Sequence, residues 1–156
     1  MNWFKNFALK YPRLSVALVL IAIAAAIYAV MVFKKNRDAR NQQKSINELD
    51  VNKGALTITD NQATIIAENI LGAMNQYGTD EKTIIENLQT LRKDDLLLVI
   101  QKFGVRPYNG AGLATRDYEK KFFSTDLNLV SWLKEEVTGD DLNTVANIFI
   151  NNQIPF

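Results

Sequence analysis

The longest apolar run in the chain lies between Leu14 and Phe33, and its 20 residues include no charge. A helix rises about 1.5 Å per residue, so such a stretch is about 30 Å long and matches the hydrocarbon core of a bilayer. Lipid offers no water to the backbone, and a helix pairs its N–H and C=O groups internally. The pattern predicts a transmembrane helix at residues 14–33, with Pro12 near its start.

A cleaved signal peptide and a buried core helix are the alternatives to a membrane anchor. The apolar region of a signal peptide spans about 7–15 residues and ends at a small-residue cleavage site. Here further apolar residues, mostly large, follow the small residues Ala24–Ala26. A charge-free run of this length favours an uncleaved anchor.

The residues on either side of the apolar run are rich in positive charge. Residues 1–13 mix aromatic and basic side chains, which is typical of a membrane–water interface. Residues 34–58 are first basic and then polar, and we interpret them as a linker; Ser45 and Glu48 have the spacing of a capping box that would start a short helix there. Three Lys or Arg residues precede the span and five follow it closely, which slightly favours a cytoplasmic or interior C-terminal domain.

Helical periodicity begins at Thr59 and continues to Asn151, interrupted by one long irregular segment. Thr59 and Gln62 form a capping box for a helix that ends near residues 75–77, and Thr79 is expected to cap the next helix. The run Leu96–Ile100 is apolar on all sides, which predicts a buried helix. The remaining predicted elements are a helix at Asp80–Leu91, one that opens at Asp94, a long irregular loop at residues 104–125, and helices at Leu127–Val137 and Asp141–Asn151. No segment alternates convincingly, so residues 59–156 are predicted to form an all-α domain.

The charge of the chain is unevenly distributed. The overall net charge is +1, but residues 1–44 carry eight Lys or Arg and one Asp, whereas residues 45–156 carry ten basic and sixteen acidic residues. An acidic domain lacks the basic face that nucleic-acid binding needs. The chain has no Cys and no His, which excludes disulfides, thiolate nucleophiles, zinc sites built on these residues and imidazole-based triads. An enzyme would have to rely on carboxylates, Lys, Ser, Thr or Tyr instead, and it is the third and most distant alternative. We expect a protein that is not an enzyme.

Part of the predicted domain resembles an annexin repeat. The residues that carry the likeness are the string Ala73-Met74-Asn75-Gln76-Tyr77-Gly78-Thr79-Asp80-Glu81 with Ile84, Ile85 and Leu88 after it, and Trp132–Gly139 with the apolar Leu142–Phe149. The likeness covers about residues 63–151 as a single copy, whereas annexins carry four or more. It implies a five-helix, right-handed module whose third helix lies across the others. The loop between the third and fourth helices is some 15–20 residues too long for that family.

The resemblance also implies a calcium site that engages phospholipid. By position, Met74, Gln76 and Gly78 would supply backbone carbonyls and Glu136 the carboxylate. Gln76 stands where the annexin turn usually has glycine, so we expect this site to be degenerate or lost. No cofactor other than this calcium is predicted.

Two further groups of residues are candidates for binding. The loop at 104–125 carries aromatic and cationic side chains suited to a protein partner, namely Arg106, Tyr108, Arg116, Tyr118, Phe122 and Phe123. The alternative is that Phe122 and Phe123 pack onto the helices of the domain. Glu135 and Glu136 fall in the last turn of a helix, where negative charge is unfavourable unless a cation, a basic neighbour or solvent relieves it.

Two functions from different classes fit these features. The first is a single-pass, non-enzymatic structural or interaction protein that presents its acidic domain within a membrane-associated assembly, such as a bacterial cell envelope or a membrane-containing virion. Its partners would be the lipid bilayer and proteins, further copies of this chain among them, but not nucleic acid. The second is a calcium-dependent phospholipid-binding module of the annexin type.

Overall fold

The computed structural model describes residues 9–76, 78–108 and 124–156, and this part of the chain is mostly helical. Its helices are α1 (Pro12–Asn47), α2 (Asp60–Met74), α3 (Glu81–Leu88), α4 (Lys93–Phe103), α5 (Leu129–Glu136) and α6 (Gly139–Asn151). Two short strands, β1 (Val105–Tyr108) and β2 (Thr125–Asn128), form an antiparallel ribbon. The sequence predicted an all-α domain. Its helical character is confirmed, the two-stranded ribbon was not predicted, and the likeness to an annexin repeat stays a prediction.

The chain divides into two units, Met1–Lys34 and Lys35–Phe156. Within the first unit α1 begins at Pro12 and contains the apolar stretch. Among the described helices, α1 is the one long and apolar enough to cross a membrane, with a window of mean hydropathy 2.9 and none of that window buried. A long apolar helix near the N-terminus is therefore confirmed.

The polar segment that follows is helical as far as Asn47, so the linker predicted for residues 34–58 is wrong over its first half. Ala39, Gln43 and Ile46 belong to the second unit and are buried at helical spacing, so this part of α1 packs onto the rest of that unit. Only two of these three residues are apolar, so the periodicity is too faint to recognise in the sequence. The predicted capping box at Ser45 is wrong as well, because the Ser45 hydroxyl lies inside the helix and donates to the carbonyl of Asn41.

Helices α2 to α4 follow the sequence pattern closely. The Thr59–Gln62 capping box is present: the N–H of Gln62 donates to Thr59 Oγ1, and the N–H of Thr59 donates to Gln62 Oε1 at 2.8 Å. Residues Leu96–Ile100 are all buried, as predicted. Helix α3 is capped by Asp80, whose Oδ1 accepts from the N–H of Thr83, and not by Thr79. The largest fully buried side chains of the second unit include Trp132, Phe149, Met74, Ile84, Leu88, Leu97 and Leu127.

The two strands of the ribbon lie at the two ends of the segment predicted to be an irregular loop, residues 104–125. Pro107 lies opposite Asp126, whose N–H points away from β1 and donates to Asn36 Oδ1. Since alternate N–H groups of a strand point in opposite directions, Pro107 occupies a position where no ladder bond is lost. Strands of four residues that include a proline lack the alternation by which strands are recognised. Helix α5 consequently starts at Leu129 rather than Leu127, with Asn128 as its cap.

Candidate functional site around Glu136

The turn between α2 and α3 is closed by backbone hydrogen bonds. The N–H of Asn75 donates to the carbonyl of Leu71 at 2.8 Å, and that of Asp80 donates to Ala73 at 3.0 Å. Gly78 has a φ of +79°, and a side chain added there would meet no atom within 4 Å. Glycine is thus required at this position by the backbone conformation and not by lack of space.

The residues of the predicted calcium site occupy different environments in this turn. Met74 ends α2 and is fully buried, whereas Gln76 is exposed and its Nε2 donates to the carbonyl of Ala73 at 3.4 Å. Among the described non-glycine residues, positive φ is found at Gln153 and not at Gln76. The left-handed conformation of the turn falls at Gly78, so Gln76 fits its backbone position without strain.

Glu136 is the last residue of α5 and lies beside this turn. Its Oε2 accepts a hydrogen bond from Thr79 Oγ1 at 3.0 Å. Burial, and after it the interaction with the Glu136 carboxylate, raises the pKa of the Tyr108 hydroxyl far above its ordinary value. The Tyr108 ring packs edge-on against Trp132, with the ring centroids 4.8 Å apart. One half-buried carboxylate therefore joins the α2–α3 turn, β1 and α5.

The neighbouring Glu135 points to a different partner. Its Oε1 lies 2.6 Å from Lys35 Nζ, and both side chains are partly exposed. Of the explanations that the sequence left open for a carboxylate at a helix C-terminus, the structure shows a basic neighbour at Glu135, and at Glu136 it shows a hydroxyl donor, Thr79. The pattern did not indicate these partners because Lys35 and Tyr108 lie 100 and 28 positions away in sequence.

The metal-binding capacity of this site would depend on main-chain oxygens. The described residues contain no group of three or more His, Cys, Asp or Glu side chains arranged to hold a metal ion. Calcium takes six to eight oxygen ligands, so Glu136 would have to be supplemented by carbonyls of the turn, water or lipid phosphates. Glu136 would also have to share its carboxylate with the Thr79 hydroxyl.

Two of the predicted partner-binding residues are engaged within the domain. Arg106 forms a bidentate contact with Glu68, through Nη2 to Oε1 at 2.6 Å and Nη1 to Oε2 at 3.2 Å, and its guanidinium lies 4.8 Å from the centre of the Phe103 ring. The hydrogen bond from Arg106 is the main reason that the pKa of Glu68 falls below its usual value. Tyr108 is buried. Both residues thus stabilise the fold, and Tyr108 is not accessible to a partner.

The other four predicted partner-binding residues, Arg116, Tyr118, Phe122 and Phe123, lie outside the described residues. Their role stays a prediction.

Asp95 is a buried carboxylate that the sequence indicated only as a residue of a helix's first turn. It accepts hydrogen bonds from the N–H groups of Thr57 and Ile58 and from the Thr57 hydroxyl. Burial alone would raise the pKa of Asp95, but these hydrogen bonds outweigh burial and the pKa lies below its usual value. Asp95 therefore anchors the segment that leads into α2.

Comparison with known proteins does not assign this chain to a family. No protein-family model, no curated protein and no solved structure matches the chain. The resemblance to an annexin repeat thus rests on the sequence motif alone.

Proposed function

We propose that this chain is a single-pass membrane protein that presents its small helical domain to protein partners in a membrane-associated assembly, such as a bacterial cell envelope or a membrane-containing virion. The observation that carries the proposal is the exposed apolar surface of α1. Large side chains along the whole stretch are uncovered, with Val30 67% and Phe33 69% exposed. Full burial of such a side chain contributes about 1.5–3 kcal/mol, so a bilayer would stabilise this helix strongly.

The second unit supports the role of an interaction domain. It begins at Lys35, two positions after the apolar stretch ends, so the chain holds it close to the membrane. We attribute no catalytic activity to it, because the chain has neither Cys nor His and its best-defined carboxylates are taken up by structural hydrogen bonds.

The membrane anchor is tested by placing charge in the apolar stretch. Each arginine near the centre of a spanning helix costs about 2.5–3.5 kcal/mol on insertion scales. We expect Ile23→Arg combined with Ala26→Arg to release the protein from carbonate-washed membranes. Asn41→Arg combined with Ser45→Arg adds the same charge to exposed positions of α1 and should leave the protein in the pellet. Retention of the first variant in the membrane would contradict the anchor.

The partner-binding role is tested by crosslinking in the native membrane. A photoreactive residue at position 118, in the segment predicted to contact partners, should give discrete protein adducts. The same residue at Lys53, an exposed position of the domain, is the matched control and should give few. Equal labelling from both positions would rule out a specific surface at 109–123.

We place the C-terminal domain on the cytoplasmic or interior side, on the basis of the basic residues that follow the span. Because the chain has no cysteine, single cysteines report topology directly. A cysteine at Lys53 should react with a membrane-impermeant maleimide only after permeabilisation, and one at Asn2 should react before it. The reverse pattern would invert the orientation.

Calcium-dependent phospholipid binding is the second candidate, and the contact between Thr79 and Glu136 favours it. That contact brings the turn and the carboxylate of the annexin-like motif together. With one carboxylate, affinity should be weak, about 10⁻⁴–10⁻³ M, and should increase with anionic lipid. Calorimetry of the full chain in nanodiscs tests this. Glu136→Gln should abolish the binding, while Glu135→Gln is the control and should retain it. Absence of calcium binding in nanodiscs of zwitterionic lipid and in nanodiscs of anionic lipid would eliminate this candidate.

A further inference from the structure

The polar half of α1, residues 35–47, contacts the rest of the second unit through an interface with little apolar surface. Its buried residues are Ala39, Gln43 and Ile46, so a small side chain and an amide occupy two of the three central positions. We call residues 35–47 the docked half of α1.

The amide of Gln43 is incompletely paired. Gln43 is 6% exposed; its Nε2 donates to Asn47 Oδ1 at 2.9 Å and lies 3.5 Å from the carbonyl of Ile100. Within the part of the chain that the structure describes, no donor reaches Gln43 Oε1. A buried acceptor without a partner loses its hydration and gains nothing in return. This unpaired acceptor therefore weakens the interface at its centre, where Ala39 and Ile46 are the buried apolar residues.

Ion pairs at the edge of the interface favour docking. Lys35 contacts Glu135 at 2.6 Å, and Arg40 Nη2 lies 2.8 Å from Asp126 Oδ2. All four side chains are more than a third exposed. Exposed pairs of this kind are weak, and salt screens them.

The surface beneath the docked half keeps its own structure through contacts within the domain. The N–H of Asp126 donates to Asn36, and Asn128 Nδ2 donates to Gln42 Oε1; both donors would find water if the helix left. Asn128 Oδ1 meanwhile accepts from the N–H of Ser131 and caps α5 independently of α1. Departure of the docked half would thus leave β2 and α5 intact.

From these contacts we infer that the docked half of α1 is a salt-sensitive clasp, which releases from α4, β2 and α5 as ionic strength rises while the domain remains folded. This property goes beyond the proposed function and does not depend on it. Such local openings are expected where few apolar contacts and several exposed polar contacts hold an element. Release would expose the side-chain amide of Asn128, which is fully buried in the docked state.

Two adjacent amides of β2 distinguish release from unfolding. The N–H of Asp126 points to Asn36, and the N–H of the next residue, Leu127, points to β1 because alternate groups of a strand face opposite sides. Release of the helix should therefore speed the hydrogen exchange of the Asp126 amide but not that of the Leu127 amide. Amide hydrogen exchange is to be measured by NMR on the full chain in nanodiscs of zwitterionic lipid. Between about 0.05 M and 0.5 M salt, the exchange rate of Asp126 relative to Leu127 should rise roughly threefold to tenfold, as expected for the loss of two exposed pairs.

Variants in the clasp provide the second measurement. Lys35→Gln with Arg40→Gln should raise the relative exchange of Asp126 at low salt and remove its salt dependence. Gln43→Met should lower that exchange at every salt concentration, because it removes the unpaired acceptor. Lys82→Gln, which disrupts an exposed pair on α3, is the control and should have no effect. If Asp126 and Leu127 exchange at the same rate in all conditions, or if Gln43→Met accelerates Asp126, the clasp does not exist.

Discussion

The carboxylate of Asp95 is bonded twice to Thr57, from the backbone N–H at 2.8 Å and from the hydroxyl at 2.6 Å. Removal of the carboxylate by Asp95→Ala would take away the shared acceptor of both donors and break two charge-assisted hydrogen bonds. We expect a loss of about 1–3 kcal/mol in the free energy of unfolding. Asp94→Ala on the same turn is the control. It removes one hydrogen bond, from the backbone N–H of Asn52, and should cost less. Equal costs in a denaturant titration would contradict this assignment.

The same carboxylate should make stability dependent on pH. Its folded-state pKa is lowered relative to an unfolded value of about 3.9, so its stabilisation is complete above that value and is lost as pH falls through the folded-state pKa. Thermal unfolding followed by circular dichroism between about pH 2 and pH 6 should show a smaller acid-induced decrease in Asp95→Asn than in the unchanged protein. An identical decrease in both proteins would show that other carboxylates determine the acid response.

Tyr108 and Glu136 should be energetically coupled. Tyr108→Phe removes the hydroxyl that interacts with the Glu136 carboxylate while it keeps the ring contact with Trp132. We expect a cost of about 0.5–1.5 kcal/mol, and a double-mutant cycle with Glu136→Gln should give a non-zero interaction energy. Additive single-mutant effects would mean that the hydroxyl has another acceptor.

The two glycines at the end of α2 should respond in opposite ways to alanine. Gly78→Ala places a side chain at a φ of +79° and should destabilise the domain by about 1–2 kcal/mol. Gly72→Ala lies inside α2, where the added group meets nothing within 4 Å, and should stabilise it by about 0.5–1 kcal/mol. Chemical denaturation measures both, and a destabilised Gly72→Ala would indicate close packing there.

The buried helix α4 should dominate the stability of the domain. Leu97 and Leu98 are both buried, and truncation of each to alanine should cost about 2–5 kcal/mol. Ile65→Ala provides the control, because that side chain is mostly exposed and should change stability by less than about 0.5 kcal/mol. Near-neutral leucine variants in a denaturant titration would contradict the packing of α4.

The sequence predicted those elements whose signals are local. The Thr59–Gln62 capping box and the run Leu96–Ile100 depend on neighbouring residues, and both are found where expected. The docked half of α1 was missed because its interface is mostly polar, with Gln43 at the centre of the buried stripe. Hydrophobic periodicity cannot reveal such an interface.

The candidate site illustrates the same limit. The resemblance to an annexin repeat pointed to Glu136 and the α2–α3 turn, and the structure shows that Thr79 joins them. The sequence did not indicate that Tyr108 faces inward to Glu136 or that Arg106 is paired with Glu68, because these contacts depend on the ribbon. The strands that form this ribbon are too short to be recognised.

Pro107 has a consequence for the behaviour of the domain at high concentration. The outer edge of β1 would present the N–H groups of residues 105 and 107, and proline supplies none. On the outer edge of β2, the N–H of Asp126 is already occupied by Asn36. Strand addition requires a row of free donors and acceptors, so neither edge is a good template for a second chain. The ribbon is thereby protected against edge-to-edge aggregation, a hazard for any domain crowded onto a membrane surface.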